Sequence, residues 1–218
     1  MRRSAAAGTD AGPPGVRGAI LAGGGASRYG GRPKGLERVG GTRILDRVAA
    51  AFVEAFGTLP LLIANDPAAP TWRPDLTVVP DLHPGAGALG GLLTAVAAGP
   101  GPVVCAAWDM PFVSAALLRR LAEGLATADA VLPASGGPRG VEPMCAAYGP
   151  ACRAAIESAV AAGDLRAIAF HSAIRASILP ADAVAAFGDP AVLFFNVNTP
   201  DDLTRAETLW RQLASSPS

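Results

Sequence analysis

Val16-Arg17-Gly18-Ala19-Ile20-Leu21-Ala22-Gly23-Gly24-Gly25-Ala26-Ser27-Arg28-Tyr29-Gly30-Gly31-Arg32-Pro33-Lys34-Gly35 opens as a short apolar strand, Gly18 to Ala22, and then breaks into a loop too rich in glycine for regular structure. Glycine lets backbone N–H groups approach a ligand closely and converge on it, which suits a polyphosphate. Three cations stand in the loop: Arg28, Arg32 and Lys34. Lys34 is the only lysine in 218 residues, against seventeen arginines. A compact ammonium on a thin stem fits among phosphates where a planar guanidinium does not. Two commoner phosphate loops fail on spacing. A dinucleotide fingerprint counted from Gly23 would need glycine at position 28, where Arg28 stands. A Walker loop would need Gly-Lys-Ser/Thr, but Pro33 precedes Lys34 and Gly35 follows it. A nucleophile elbow around Ser27 fails because Tyr29 occupies the position that requires glycine.

The pattern downstream of the loop decides the fold class. Ile44, Val48, Phe52 and Phe56 recur every four residues, which predicts a helix over 44–56 with one apolar face; Thr42 is placed to cap it. Leu61–Ala64, Leu76–Val79 and Val103–Ala107 are short continuous apolar runs, as a sheet buried on both faces requires. Helical patterns over 89–98 and 114–125 separate them. The alternation predicts an α/β fold: a doubly wound, mostly parallel sheet with helices on both faces. In such folds ligands bind beyond the carboxyl ends of the strands. The first strand ends in the glycine loop, the second in Asn65-Asp66, the third in Pro80-Asp81 and the fourth in Trp108-Asp109-Met110-Pro111. The carboxylates of Asp81 and Asp109 and the amide of Asn65 therefore share an edge with the loop.

The second half is less regular. Strands are expected at 129–133 and 143–148, helices at 151–162 and 165–171, and a last strand at 191–195. Thr199 as N-cap, Pro200 at the first helical position and two acids in the first turn predict a closing helix to about Leu213. Residues 1–15 lack periodicity and read as a disordered tail, 16–213 as one domain, and 214–218 as a second tail.

Composition narrows the function class. A net charge of zero with no basic block argues against nucleic acid. No apolar run approaches the ~18 residues of a membrane span. Cys105, Cys145 and Cys152 have neither metal-ligand nor disulfide-framework spacing, which fits a reduced, cytoplasmic setting. His83 and His171 are the only histidines, and neither belongs to a Ser-His-Asp or zinc constellation. Polyphosphate in such a loop calls for Mg²⁺, which is held by one or two carboxylates plus substrate oxygens. Asp109, at a strand end, is the candidate metal ligand.

Leu21-Ala22-Gly23-Gly24, Arg28, Gly30 and Lys34 resemble the signature loop of nucleotidyltransferases that activate small phosphorylated molecules. Val79-Pro80-Asp81, Gly87-Ala88-Leu89-Gly90-Gly91-Leu92, Trp108-Asp109-Met110-Pro111-Phe112, Glu142-Pro143-Met144-Cys145 and Phe195-Asn196-Val197-Asn198-Thr199-Pro200-Asp201-Asp202-Leu203 narrow the resemblance to the molybdenum cofactor guanylyltransferases. It covers Val16 to Leu203, departing at Tyr29, where Met is usual, and at Pro33, where an acid often stands. The resemblance implies a Rossmann-like nucleotidyltransferase fold and a cytoplasmic enzyme that transfers GMP from GTP to molybdenum-bound molybdopterin. It implies GTP contacts from Leu21, Ala22, Gly23, Lys34, Asn65, Asp81 and Asp109 in the N-terminal half, with Mg²⁺ on Asp109. Arg28, Lys34 and Asp109 become the candidate catalytic residues, with Arg28 stabilising transition-state charge. Arg166, Asn196 and Asn198 become candidate acceptor contacts in the C-terminal half. Molybdoenzymes or other proteins of the cofactor pathway are the implied partners. The alternatives are a cytidylyltransferase, another nucleotidyltransferase with a different phosphorylated acceptor, and a non-catalytic nucleotide-binding module.

Overall fold

The computed structural model of the protein describes residues 12–23 and 33–215. A seven-stranded sheet runs through it in the order β5-β4-β1-β6-β8-β7-β9. These strands are β1 (Arg17–Leu21), β4 (Leu61–Ile63), β5 (Val78–Val79), β6 (Val103–Ala107), β7 (Ala130–Pro133), β8 (Cys145–Tyr148) and β9 (Ala176–Leu179). Only β8 runs antiparallel to its neighbours, β6 and β7; the other pairings are parallel. This is the expected doubly wound, mostly parallel arrangement.

Strand side chains alternate between the faces. Ile20, Leu62, Val104 and Ala106 point toward α1 (Ile44–Phe56) and α4 (Ala115–Gly124). Ala19, Leu21, Ile63 and Cys105 point toward α3 (Gly87–Ala97) and α5 (Cys152–Ala161). Both faces are buried, which is why the strands read as unbroken apolar runs. α1 uses its predicted face: Ile44, Val48 and Phe52 are fully buried. The helix begins after Arg43 rather than at a Thr42 cap, because Thr42 belongs to a two-stranded hairpin, β2 (Arg38–Val39) and β3 (Thr42–Arg43), turned by Gly40-Gly41. At the opposite end of β1, the Arg17 guanidinium donates to the carbonyls of Gly99 (3.1 Å) and Gly101 (2.9 Å), fixing the chain that leaves α3.

Phe52 packs directly on β1. A Cβ at Gly18 would stand 2.5 Å from Phe52 Cδ1, so glycine is required there. Gly18→Ala is expected to destabilise the protein by about 1–3 kcal/mol through overpacking. Urea unfolding measures it, and Phe52→Leu in the same chain should recover part of the loss.

Two expectations for the second half are corrected. Residues 191–195 are not a strand. They overlap α7 (Pro190–Leu193), started by Asp189, whose carboxylate accepts from Ala191 N–H at 2.9 Å. Residues 165–171 form turns and the start of a short 3-10 segment, His171–Ala173, rather than a helix. The last strand is β9. The closing helix α8 (Pro200–Ser215) is as expected, with the Thr199 hydroxyl accepting from Asp202 N–H at 3.1 Å. Residues 1–11 lie outside the described residues, and Gly12 N–H already donates to Ala55 O at 3.0 Å.

Candidate functional site

The sheet places the site by register. Val79, Ile63, Leu21 and Ala107 lie in one row across β5, β4, β1 and β6. Two residues beyond that row come Asp81, Asn65, Gly23 and Asp109. The chain leaves β1 toward β4 on one side and returns as β6 on the other, so β1 and β6 flank the topological switch point. A cavity of about 170 Å³ opens there, lined among others by Leu21, Gly23, Asn65, Asp81, Asp109 and Asn196. Gly87, Ala88 and Gly91 of α3 form one wall and Met144 another.

At the β4–β5 end, Asn65 and Asp81 hold each other. Asn65 Nδ2 donates to Asp81 Oδ2 at 2.7 Å, and Asp81 N–H donates to Asn65 Oδ1 at 2.8 Å. The next residue is pinned too: Leu82 N–H donates to the hydroxyl of buried Thr94 (2.9 Å), which itself donates to Gly90 O (2.9 Å). Thr94 is a supporting residue the sequence reading missed. A lone threonine in an apolar helix carries no signal until the partner loop is known.

At the β6 end, Lys34 and Asp109 meet. Lys34 Nζ donates to Asp109 Oδ2 and to Asn198 Oδ1, both at 2.8 Å, and only 12% and 10% of the Lys34 and Asp109 side chains are exposed. The lysine begins a 3-10 turn, Lys34–Leu36. Gly35 lets that turn lie flat on Trp108, since a Cβ there would run into the indole Cε3. Trp108 in turn stacks on Trp72 with centroids 5.0 Å apart. The C-terminal segment closes the arrangement: Val197 N–H donates to Asp109 O at 2.9 Å.

The candidate residues are thus brought together unequally. Leu21, Gly23, Asn65, Asp81, Asp109 and Asn196 line the cavity, and Lys34 joins it through Asp109. Ala22 lies between Leu21 and Gly23, its N–H donated to Ile63 O at 2.9 Å. Asn198 contacts the lysine and is not among the lining residues. Arg166 also stands outside the lining: its guanidinium pairs with Asp164 at 2.5 Å, its side chain is 73% exposed, and the pair holds the Asp164 carboxyl down at about 2. Arg28 lies outside the described residues. Neither histidine lines the cavity. Glu142 was singled out only as part of a motif. Burial pushes its carboxyl up, the Met144 amide (3.2 Å) and Arg139 oppose this, and the Asp109 charge reinforces it, so Glu142 feels the Asp109 end of the cavity.

The donor set fits Mg²⁺ held largely by substrate. Asp109 is a nearly buried carboxylate at a strand end facing the cavity. Among the described residues no group of three or more His, Cys, Asp or Glu is placed to cage a metal. Phosphate oxygens would complete the coordination of an ion anchored by one carboxylate.

Comparison with known proteins agrees with this geometry. The family model described as the MobA-like NTP transferase domain matches residues 18–176. A probable molybdenum cofactor guanylyltransferase of Pelotomaculum thermopropionicum is 35% identical over 88% of this chain and 92% of its own length. A molybdenum cofactor guanylyltransferase of Cereibacter sphaeroides is 35% identical over 89% of this chain and 97% of its own. The solved structure of molybdopterin-guanine dinucleotide biosynthesis protein A from Archaeoglobus fulgidus superposes with a TM-score of 0.76 at 27% identity, covering 90% of this chain and 99% of that one. With its switch-point cavity, its Lys34–Asp109 pair and relatives that match it nearly end to end, this chain belongs to the MobA-like NTP transferase family, as a nucleotidyltransferase of the molybdenum cofactor guanylyltransferase group.

Proposed function

We propose that the protein binds GTP and transfers its GMP to the terminal phosphate of molybdenum-bound molybdopterin, releasing pyrophosphate. The observation that carries this reading is the Lys34–Asp109 pair at one end of a cavity whose other end is the Asn65–Asp81 pair. The polar Asn65–Asp81 couple offers acceptors and donors to a nucleoside. The triphosphate then extends along the Leu21–Gly23 strand end toward Asp109 and Lys34. The acceptor phosphate enters from the side of Asn196 and Met144, and its oxygen forms the new bond to the α-phosphorus as the bond to pyrophosphate breaks. Mg²⁺ bound with the phosphates on Asp109 would neutralise charge on the leaving oxygens. Lys34 supplies a fixed positive charge beside them, and Arg28 is assigned the same task from the loop. No side chain needs to remove a proton, because the nucleophile is an anion.

No described helix is long and apolar enough to cross a membrane; we place the reaction in the cytoplasm, with the product passed to molybdoenzymes or other proteins of the cofactor pathway. The test is pyrophosphate release with each nucleoside triphosphate and Mg²⁺, with and without molybdenum-loaded molybdopterin. Release with GTP that requires the pterin is the expected result. Release with CTP, or with another phosphorylated acceptor only, would replace the substrate, and no release despite GTP binding would leave a binding module. Because Arg166 is paired with Asp164 on the surface and does not line the cavity, Arg166→Ala is expected to keep the acceptor KM within about two-fold of wild type, as loss of an exposed ion pair has little effect.

A further inference from the structure

We infer that Asp202, at the start of the C-terminal helix, is a positioning residue for the reactive lysine. This rests on the reading above that Lys34 serves the phosphates. In an ordinary capping box the acid three residues after the N-cap returns one hydrogen bond to the N-cap N–H. Asp202 does more. Its Oδ2 accepts from Thr199 N–H (3.0 Å), from the Thr199 hydroxyl (2.9 Å) and, one residue further back, from Asn198 N–H (3.1 Å). That last bond orients the residue whose side-chain oxygen receives Lys34 Nζ at 2.8 Å. A continuous chain therefore runs from Asp202 through Asn198 to Lys34 and on to Asp109.

The helix behind Asp202 is itself anchored close to the lysine in sequence. Glu207 Oε1 accepts from Gly40 N–H at 3.0 Å, and Trp210 lies under the Arg47 guanidinium, 3.8 Å from ring centroid to carbon. Gly40 turns the hairpin that follows the Lys34–Leu36 turn. Helix α8 thus braces the backbone that carries Lys34 and also holds, through Asp202 and Asn198, the head of its side chain. The ammonium keeps one place between two oxygens, where a free lysine would lose its orientation to rotamer entropy.

The composition of the chain supplies the test. Lys34 is the sole lysine, so acylation by an amine-reactive ester, followed on the Lys34 peptide by mass spectrometry, reports on one side chain without any substrate. Asp202→Ala and Asn198→Ala are each expected to raise the acylation rate at fixed pH by about ten-fold, the equivalent of one hydrogen bond to a charged group. Because Asp202 acts through Asn198, the double variant should match the single ones, whereas independent effects would multiply. Should Asp202→Ala fail to fold, Asp202→Asn keeps one accepting oxygen for the helix start and should still react faster than wild type. A wild-type rate in whichever of these variants is folded, or multiplied effects in the double variant, overturns the proposal. Since the readout needs no turnover, a failure of GMP transfer would leave it standing, and its own failure would leave the guanylyl reading intact.

Discussion

Asp109→Asn is expected to lower pyrophosphate release from GTP by about 10³-fold while leaving the protein folded. Asparagine has the shape of aspartate, keeps one oxygen for Lys34 Nζ and leaves the Asp109 carbonyl available to Val197 N–H. What it removes is the charge. Among the described residues the carboxylate is the negative group paired to the lysine, and the Mg²⁺ proposed above to enter with GTP would lose its protein anchor. The ammonium would then face a neutral amide in a site almost closed to water, where electrostatic interactions are strongest. A purely structural role predicts a different pattern: a lower unfolding midpoint in urea with turnover kept within about ten-fold at saturating Mg²⁺, as for removal of one partner of a buried pair. Measuring both quantities on the same preparation separates the two, and turnover within that limit would reject Asp109 as the catalytic anchor.

The site was legible in the sequence because it stands at strand ends, and strands buried on both faces announce themselves. Leu61–Ala64 and Val103–Ala107 are unbroken apolar runs, so the first polar residue after each, Asn65 and Asp109, falls near the sheet edge without any knowledge of tertiary structure. The register across β5, β4, β1 and β6 then brings Asp81, Asn65, Gly23 and Asp109 to one level. Where a strand is not buried, that logic fails. β9 pairs on one side only and buries Leu179 alone, so Ala176-Ser177-Ile178-Leu179 shows no run to recognise. The run Ala191–Phe195 was apolar for another reason: it holds a short helix and its exit against the core, and the Asp189-Pro190 start signal just before it was the better guide. Side-chain partnerships were the least legible part. Asn198 reads from family likeness as an acceptor contact, yet its oxygen sits on Lys34, 164 residues away in the chain. No local pattern encodes a contact of that separation, nor the bond from Leu82 to Thr94.

Lys34→Arg should be nearly as damaging as Lys34→Ala, with each lowering turnover by about 10²–10³-fold, the cost of losing one preorganised cation at the transferring phosphate. The argument starts from the space available. Nζ sits between Asp109 Oδ2 and Asn198 Oδ1, at 2.8 Å from each, and the backbone of the following residue is pressed against Trp108 so closely that not even a methyl group fits at Gly35. The lysine cannot retreat along the chain to make room for a larger head. A guanidinium is planar and donates in a fixed fork. It would meet Asp109 side-on as a two-bond ion pair and hold the carboxylate in that geometry, competing with a metal ion for both oxygens. An ammonium is a point charge with three rotatable donors and can turn from the carboxylate to a phosphate oxygen without leaving its place. This accounts for a chain that uses arginine seventeen times and lysine once, at this position. The decisive comparison is kcat against KM in the two variants. If the charge acts on the transferring phosphate, kcat falls in both, and GTP KM changes little in Lys34→Arg because positive charge is retained in the cavity. Near-wild-type kcat in Lys34→Arg would show that any cation serves, and the special status of the single lysine would be lost.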